Sequence, residues 1–198
     1  MAVVTIQHRE GNNSVRSRVW GFVGRYGRWM PSRPRQFAPD APVHVTARGV
    51  SGLTLFPTTA DCFRFLTILR DVTARTRWTV AAWCLMSTHY HLLVFTPDPG
   101  LAPLAMQILN GRYARAYNRE HDRHGHVFAA RYSETLVQSE RHLQAAYDYV
   151  LENPVRAGLV RDPLTWAWSG DALLAPRPLR KIVAPSARRR DNLVRLAG

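Results

Sequence analysis

The chain has 198 residues, is 46% hydrophobic, contains two cysteines and carries a formal net charge of +13. That length supports one globular domain with extensions and a sizeable core. No apolar run approaches the roughly 18 residues of a membrane span, and the opening MAVVTIQHREGNNS lacks the basic, apolar and small-residue order of a secretory signal. The expectation is a cytoplasmic, nucleoid-associated protein with no membrane partner, in which Cys62 and Cys84 are buried thiols rather than a disulfide.

The charge is unevenly placed. Residues 1–35 hold seven Arg against Glu10, and residues 176–198 hold six Arg and Lys181 against Asp191. Each end is therefore +6, while residues 36–175 are nearly neutral at +1. Basic arms of this kind attract polyanions, nucleic acid above all, through counterion release; solvation alone is the plainer reading of them.

In chain order, residues 1–35 mix Gly, Asn, Ser and Arg with isolated aromatics and read as an arm. Met30 offers a second possible start. Val43-His44-Val45-Thr46-Ala47-Arg48 alternates and then meets Gly49 and Gly52, the pattern of a strand and a turn. Residues 60–76 space Phe63, Leu66, Leu69 and Val72 at helical intervals. Residues 78–86 and 89–95 form a hairpin around Ser87-Thr88, closed by the Pro-Asp-Pro-Gly loop at 97–100. A second helix over 101–120 has Leu104, Ile108 and Leu109 on its apolar side. Arg112, Arg115, Arg119 and Arg123 form a basic stripe with Tyr113 and Tyr117 interleaved, suited to a phosphate backbone or simply to water. His121, His124 and His126 follow in a polar loop and are expected in solvent. Residues 130–138 read as a strand. Ser139 then caps a helix that runs to Glu152 and stops at Pro154. Trp166-Ala167-Trp168-Ser169 is expected to pack over the core, and Pro176 opens the basic tail. The order of elements predicts an α+β, ferredoxin-like (split βαβ) antiparallel sheet with helices on one face, flanked by basic arms at 1–35 and 176–198.

Two stretches carry chemistry. His89 and His91 alternate on one strand, so both rings face the same way, about 7 Å apart at the backbone. Such a pair can converge on one divalent metal, or can be two half-buried histidines satisfied by backbone groups. Some sixty residues on, Tyr149 and Asn153 stand four apart and share a helical face. A tyrosine phenol is a competent nucleophile towards an activated electrophile, and an amide oxygen could complete a two-His site. The alternatives are a core aromatic and a helix cap.

The strings CLMSTHYHLLV and YVLENPVRAGLV, with HVTARG upstream and RYARAYNREHDRHGHVFAARY between, resemble the REP-associated tyrosine transposases, within the HUH single-tyrosine superfamily. The likeness runs from about Met30 to Ser169 and leaves residues 1–29 outside the family domain. It implies that His89 and His91 are metal ligands, with Asn153 as the third, for Mg²⁺ or Mn²⁺. It implies that Tyr149 attacks single-stranded DNA, leaving a 5′-phosphotyrosine bond and a free 3′-hydroxyl. The partner it implies is single-stranded DNA with palindromic repeat hairpins, bound by a monomer or homodimer. Where the family motif usually has an aliphatic residue this chain has Tyr90, which the alternation places in the core. Tyr147 is a rival nucleophile, about 160° around the helix from Tyr149. For nucleic-acid contacts the candidates are Arg112, Arg115, Arg119, Arg123 and Arg48 on phosphates, and Trp29 and Tyr113 for base stacking. The competing expectation is a hairpin-binding protein of DNA or RNA that does not cut; a metal hydrolase of small substrates fits the arms poorly.

Overall fold

A computed structural model describes residues 37–171 and two short strands nearer the N-terminus. The chain divides into two compact units, Met1–Pro34 and Arg35–Gly198. In the first, β1 (Val4–Thr5) pairs antiparallel with β2 (Arg18–Val19). The second contains β3 (Pro42–Arg48), α1 (Thr59–Thr76), β4 (Thr79–Met86), β5 (His89–Phe95), α2 (Ala102–Glu120), β6 (Ser133–Leu136), α3 (Glu140–Arg156) and β7 (Ser169–Asp171).

The sheet of the second unit has the order β6-β3-β5-β4-β7, with each neighbouring pair antiparallel. β3 and β4 therefore run the same way with β5 between them, joined by α1. This is the split βαβ arrangement expected from the order of elements. β7 is an addition. The expected packing segment does pack, Trp168 against the core under α1 and α2 and Trp166 against that under α3, and its end also forms an edge strand beside β4. Trp166 Nε1 donates to the Leu85 carbonyl at 3.1 Å, fastening the segment to β4. Gly170 lies so close to the Trp83 indole that a Cβ there would come within 2.8 Å of it.

Local chemistry explains the helix ends. Thr58 caps α1, its hydroxyl accepting from the Asp61 amide at 3.2 Å. The Asp61 carboxylate is fully buried, and it accepts from Thr58 at 2.6 Å, from Arg64 at 3.1 Å and from His121 at 3.1 Å. His121 is thus held against α1 rather than left in solvent, while His124 and His126 are exposed as expected. α3 passes through Pro154 to Arg156 instead of stopping at Glu152. Proline here forfeits one amide donor without ending the helix. The helix ends at Arg156, and just beyond it Gly158 turns the chain in the left-handed region at φ 69°, with Leu159 N donating to Pro154 O at 2.9 Å.

The helices do not share one face. α1 and α2 cover the face carrying Val43, Val45, Tyr90, Leu92 and Val94. α3 covers the other, with Leu143, Ala146, Tyr147, Val150 and Leu151 against Cys84, Met86, Leu93 and Phe95. The reason lies in β4: TVAAWCLM is buried at each position, and a strand apolar on both sides needs cover on both. Cys62 and Cys84 are buried thiols in different cores, on opposite sides of the sheet.

Tyr90 lies fully buried, as the alternation required, and its hydroxyl donates to Asn110 Oδ1 at 2.6 Å. Burial pushes this phenol far above the ordinary tyrosine range, so it stays a donor. Tyr90→Phe strands the Asn110 oxygen and is expected to cost about 1–2 kcal/mol, read by urea unfolding; an unchanged midpoint would remove the bond's energetic role.

Candidate active site

β5 turns His89 and His91 towards α3, away from the core that holds Tyr90. The β3–β5 register sets Arg48 opposite His89 and Thr46 opposite His91, with His44 one diagonal step from His91 on the same face. The His44 and His91 rings lie nearly parallel with centres 5.2 Å apart, edge to edge, and His44 Nε2 lies 3.0 Å from His91 Nδ1. His89 Nδ1 lies 3.1 Å from the Thr88 hydroxyl, and its ring stands 5.0 Å from that of His91. His44 was not singled out from the sequence. The signal available was its place in Val-His-Val, which aims it out of the α1–α2 core, but only the register reveals which histidine it meets.

All three imidazoles are held neutral. Burial lowers His91 to about 3, helped by His44, His89 and Arg48. Burial lowers His44 to about 4, with His142 adding to the effect. His89 is also lowered, by burial and then by Arg48. Neutral rings are what metal ligation requires, because only they offer a lone pair.

α3 brings the tyrosine. Tyr149 is 39% exposed, whereas its neighbours Val150 and Leu151 are buried at 0% and 4%. Its ring stands edge-on to His91 at 5.6 Å and to His44 at 5.7 Å. One turn on, Asn153 Nδ2 donates to the Tyr149 carbonyl at 2.8 Å, which leaves Oδ1 as the amide atom for a cation. Arg156 places its guanidinium 5.3 Å from the Tyr149 ring centre while pairing with Glu152 at 3.1 Å. Tyr147 is no rival: it is 5% exposed and its hydroxyl donates to Asp171 at 2.5 Å.

The residues fit a divalent cation on one specific ground. His91 Nε2 is buried with no hydrogen-bond partner among the described residues, and in the tautomer that presents its lone pair it is open to a cation. The candidate donors are two imidazole nitrogens and an amide oxygen. Among the described residues no three His, Cys, Asp or Glu side chains group to hold a metal.

The nucleic-acid candidates divide. Arg48 is exposed at the edge of the histidine pair, close enough to depress both rings. Arg115 and Arg119 are exposed on α2. Arg112 is half-buried and tied to Asp71 at 3.1 Å, joining α2 to α1. Arg123 is partly buried, with Nη1 lacking a partner. The stripe belongs to the helix on the far side of the sheet from Tyr149. Tyr113 cannot stack on bases: it is fully buried and its hydroxyl donates to the Leu55 carbonyl. The core stripe of α2 runs through Ala102, Met106, Leu109, Tyr113 and Tyr117, while Leu104 is 49% exposed. A phenol with a carbonyl to meet is a core residue, which reading it as polar overlooked. Trp29 lies outside the described residues.

The model of the family described as "Transposase IS200 like" matches residues 55–153, half of the chain. The chain belongs to the IS200-like transposase family. The matched stretch includes both histidines of β5 and ends on Asn153. In fold the protein is similar to a REP-associated tyrosine transposase solved bound to a REP hairpin, with a TM-score of 0.62 over 79% of this chain and 92% of that one at 16% identity. A candidate transposase of Deinococcus radiodurans R1 is similar at a TM-score of 0.42 and 20% identity, over 62% of this chain and 97% of that one. Among proteins of curated function, none matches the sequence. No described helix is long and apolar enough to cross a membrane.

The neutral histidines set a pH dependence. Their folded pKa values lie below the unfolded 6.5, so the unfolded chain binds more protons from about pH 6.5 down to about 3. Stability is full above 6.5 and is expected to fall through that window on acidification. Urea midpoints from pH 8 to 4 test this, and a flat profile would mean the rings are not held neutral.

Proposed function

We propose that this IS200-like transposase cuts and rejoins single-stranded DNA beside palindromic hairpins through a covalent bond to Tyr149. The observation that carries the reading is the exposed Tyr149 ring, edge-on to a buried histidine whose Nε2 has no partner. In this reading the nucleophile and the cation seat are neighbours, carried by α3 and β5.

In this reading His89 Nε2, His91 Nε2 and Asn153 Oδ1 hold Mg²⁺ or Mn²⁺. The cation's chemistry is to polarise the phosphodiester and offset charge developing on its oxygens. The Tyr149 oxygen gives up its proton and attacks phosphorus. The P–O3′ bond breaks, the departing oxygen takes a proton, and a 3′-hydroxyl is left opposite a 5′-phosphotyrosine. One phosphate ester replaces another, so a later 3′-hydroxyl can displace Tyr149 without ATP. Arg48 stands where it can meet a phosphate oxygen next to the bond being cut. The exposed Arg115 and Arg119 are the proposed contacts to backbone further away. The neutral imidazoles keep the pair from repelling the cation.

The test is labelled single-stranded hairpin DNA incubated with protein and Mg²⁺ or Mn²⁺, then separated on a denaturing gel. A metal-dependent adduct is expected, absent in Tyr149→Phe, while hairpin affinity stays within about threefold. A native-gel shift with no adduct under either ion would make the protein a binder that does not cut. Adduct formation that survives Tyr149→Phe would assign the nucleophile elsewhere.

Backbone contact has its own signature. Arg119→Ala is expected to weaken hairpin binding independently of sequence and to reduce the slope of log affinity against log salt by about 1. An unchanged slope would remove Arg119 from the interface.

A further inference from the structure

We infer that His44 is a positioning residue for the cation seat: its Nε2 accepts the Nδ1 proton of His91 and thereby turns the lone pair of His91 Nε2 to the metal. The inference rests on the metal-site reading above.

The argument is one of proton placement. A neutral imidazole has one N–H and one lone pair. His44 Nε2 and His91 Nδ1 are 3.0 Å apart, so one donates and the other accepts. If His44 donated, His91 would carry its proton on Nε2, a buried N–H with no acceptor. If His91 donates, Nε2 presents a lone pair, which a cation satisfies and a hydrogen-bond donor otherwise would. Only the second arrangement serves ligation, and it is the pattern in which a ligating histidine gives its other N–H to a neighbouring acceptor.

The acceptor is itself held. His44 comes from β3, one diagonal step from His91 in the register, and the two rings lie edge to edge within 16° of parallel, as an in-plane N–H···N bond requires. Tyr149 closes the other side, edge-on to His44 at 5.7 Å. Because Nε2 of His44 is engaged with His91, it is the ring behind the ligand rather than a ligand of the pair. An imidazole in this role carries no charge, unlike the carboxylate that more often sits behind a ligating histidine. The seat therefore gains no negative charge from its support, and a DNA phosphate approaching it meets no repulsion from that direction.

Two substitutions separate support from bulk. His44→Phe keeps a ring and removes the acceptor, and His44→Gln keeps an acceptor at similar reach. With Mn²⁺ alone as the probe, followed by EPR of free ion, His44→Phe is expected to bind about 10- to 100-fold more weakly than the parent protein. His44→Gln is expected to recover most of that loss, and circular dichroism checks that both variants fold. In metal-free protein, ¹⁵N-detected histidine correlations are expected to place the His91 proton on Nδ1. A His91 proton on Nε2, or His44→Phe binding Mn²⁺ as tightly as the parent, overturns the assignment. If His91 carries its proton on Nδ1 and the parent takes up no Mn²⁺, the metal reading itself has failed, and the bond is left as a structural one.

Discussion

β3 and β5 run antiparallel from Pro42 opposite Phe95 to Arg48 opposite His89, and that register fixes the relations on which the site depends. It sets His44 diagonal to His91, stands Arg48 beside His89, and commits Val43, Val45, Tyr90, Leu92 and Val94 to the opposite face. A slip of one residue would send the histidines into the core under α1 and α2 and bring Tyr90 out to α3. Such a slip is opposed on both sides of the sheet, since each face of β5 is packed. The site's geometry is thus a by-product of core packing, held by the same apolar contacts that hold the fold.

The two faces then do different work. Under α1 and α2 lies the larger core, with the tyrosines of α2 and β5 satisfied internally by Leu55, Thr54 and Asn110. Under α3 the core is smaller, and its Cys84 and Met86 stand opposite His91 and His89 at its edge. α3 divides its own tyrosines in the same way. Tyr147 turns inward onto Asp171, and Tyr149, two residues on and so near the opposite side of the helix, stays partly in solvent. On the proposed reading the nucleophile must be reachable by a polymer while its helix stays fixed, and burying the flanking turn meets both needs.

How much of this the sequence disclosed follows from the range of each signal. His89/His91 and Tyr149/Asn153 were legible because a period of two and a period of four act within a single element. Tyr90 in the core followed from the same alternation. What failed depended on contacts between elements. The face of α3 was hidden because β4 is apolar throughout, which states that both sides are covered and not by which helix. Tyr113 was misread because a phenol beside arginines looks like surface until the Leu55 carbonyl is seen to meet it. Pro154 was read as a stop on its general habit, though one missing amide in the last turn ends nothing there. His44 carries no local signature at all; it acquires a role only by register.

The site also shows what the fold leaves unsatisfied. A buried polar atom without a partner costs about 1–3 kcal/mol, and His91 Nε2 is such an atom in a region otherwise well bonded. Satisfying it within the fold would have been simple, since a serine or threonine hydroxyl nearby suffices, as Thr88 supplies for His89 Nδ1. Leaving it open makes the metal-free protein slightly less stable than its core permits. It also means that any ion entering there relieves a penalty already incurred. On the metal-site reading, binding and folding then reinforce each other: a bound cation would stabilise the native chain as the logarithm of the ratio of its free concentration to its dissociation constant. In the neutral state of all three rings no proton competes for that position near pH 7. The three histidines are therefore more than polar residues tolerated in a core: two of the rings bond each other, the third bonds Thr88, and one nitrogen, His91 Nε2, is left without a partner among the described residues.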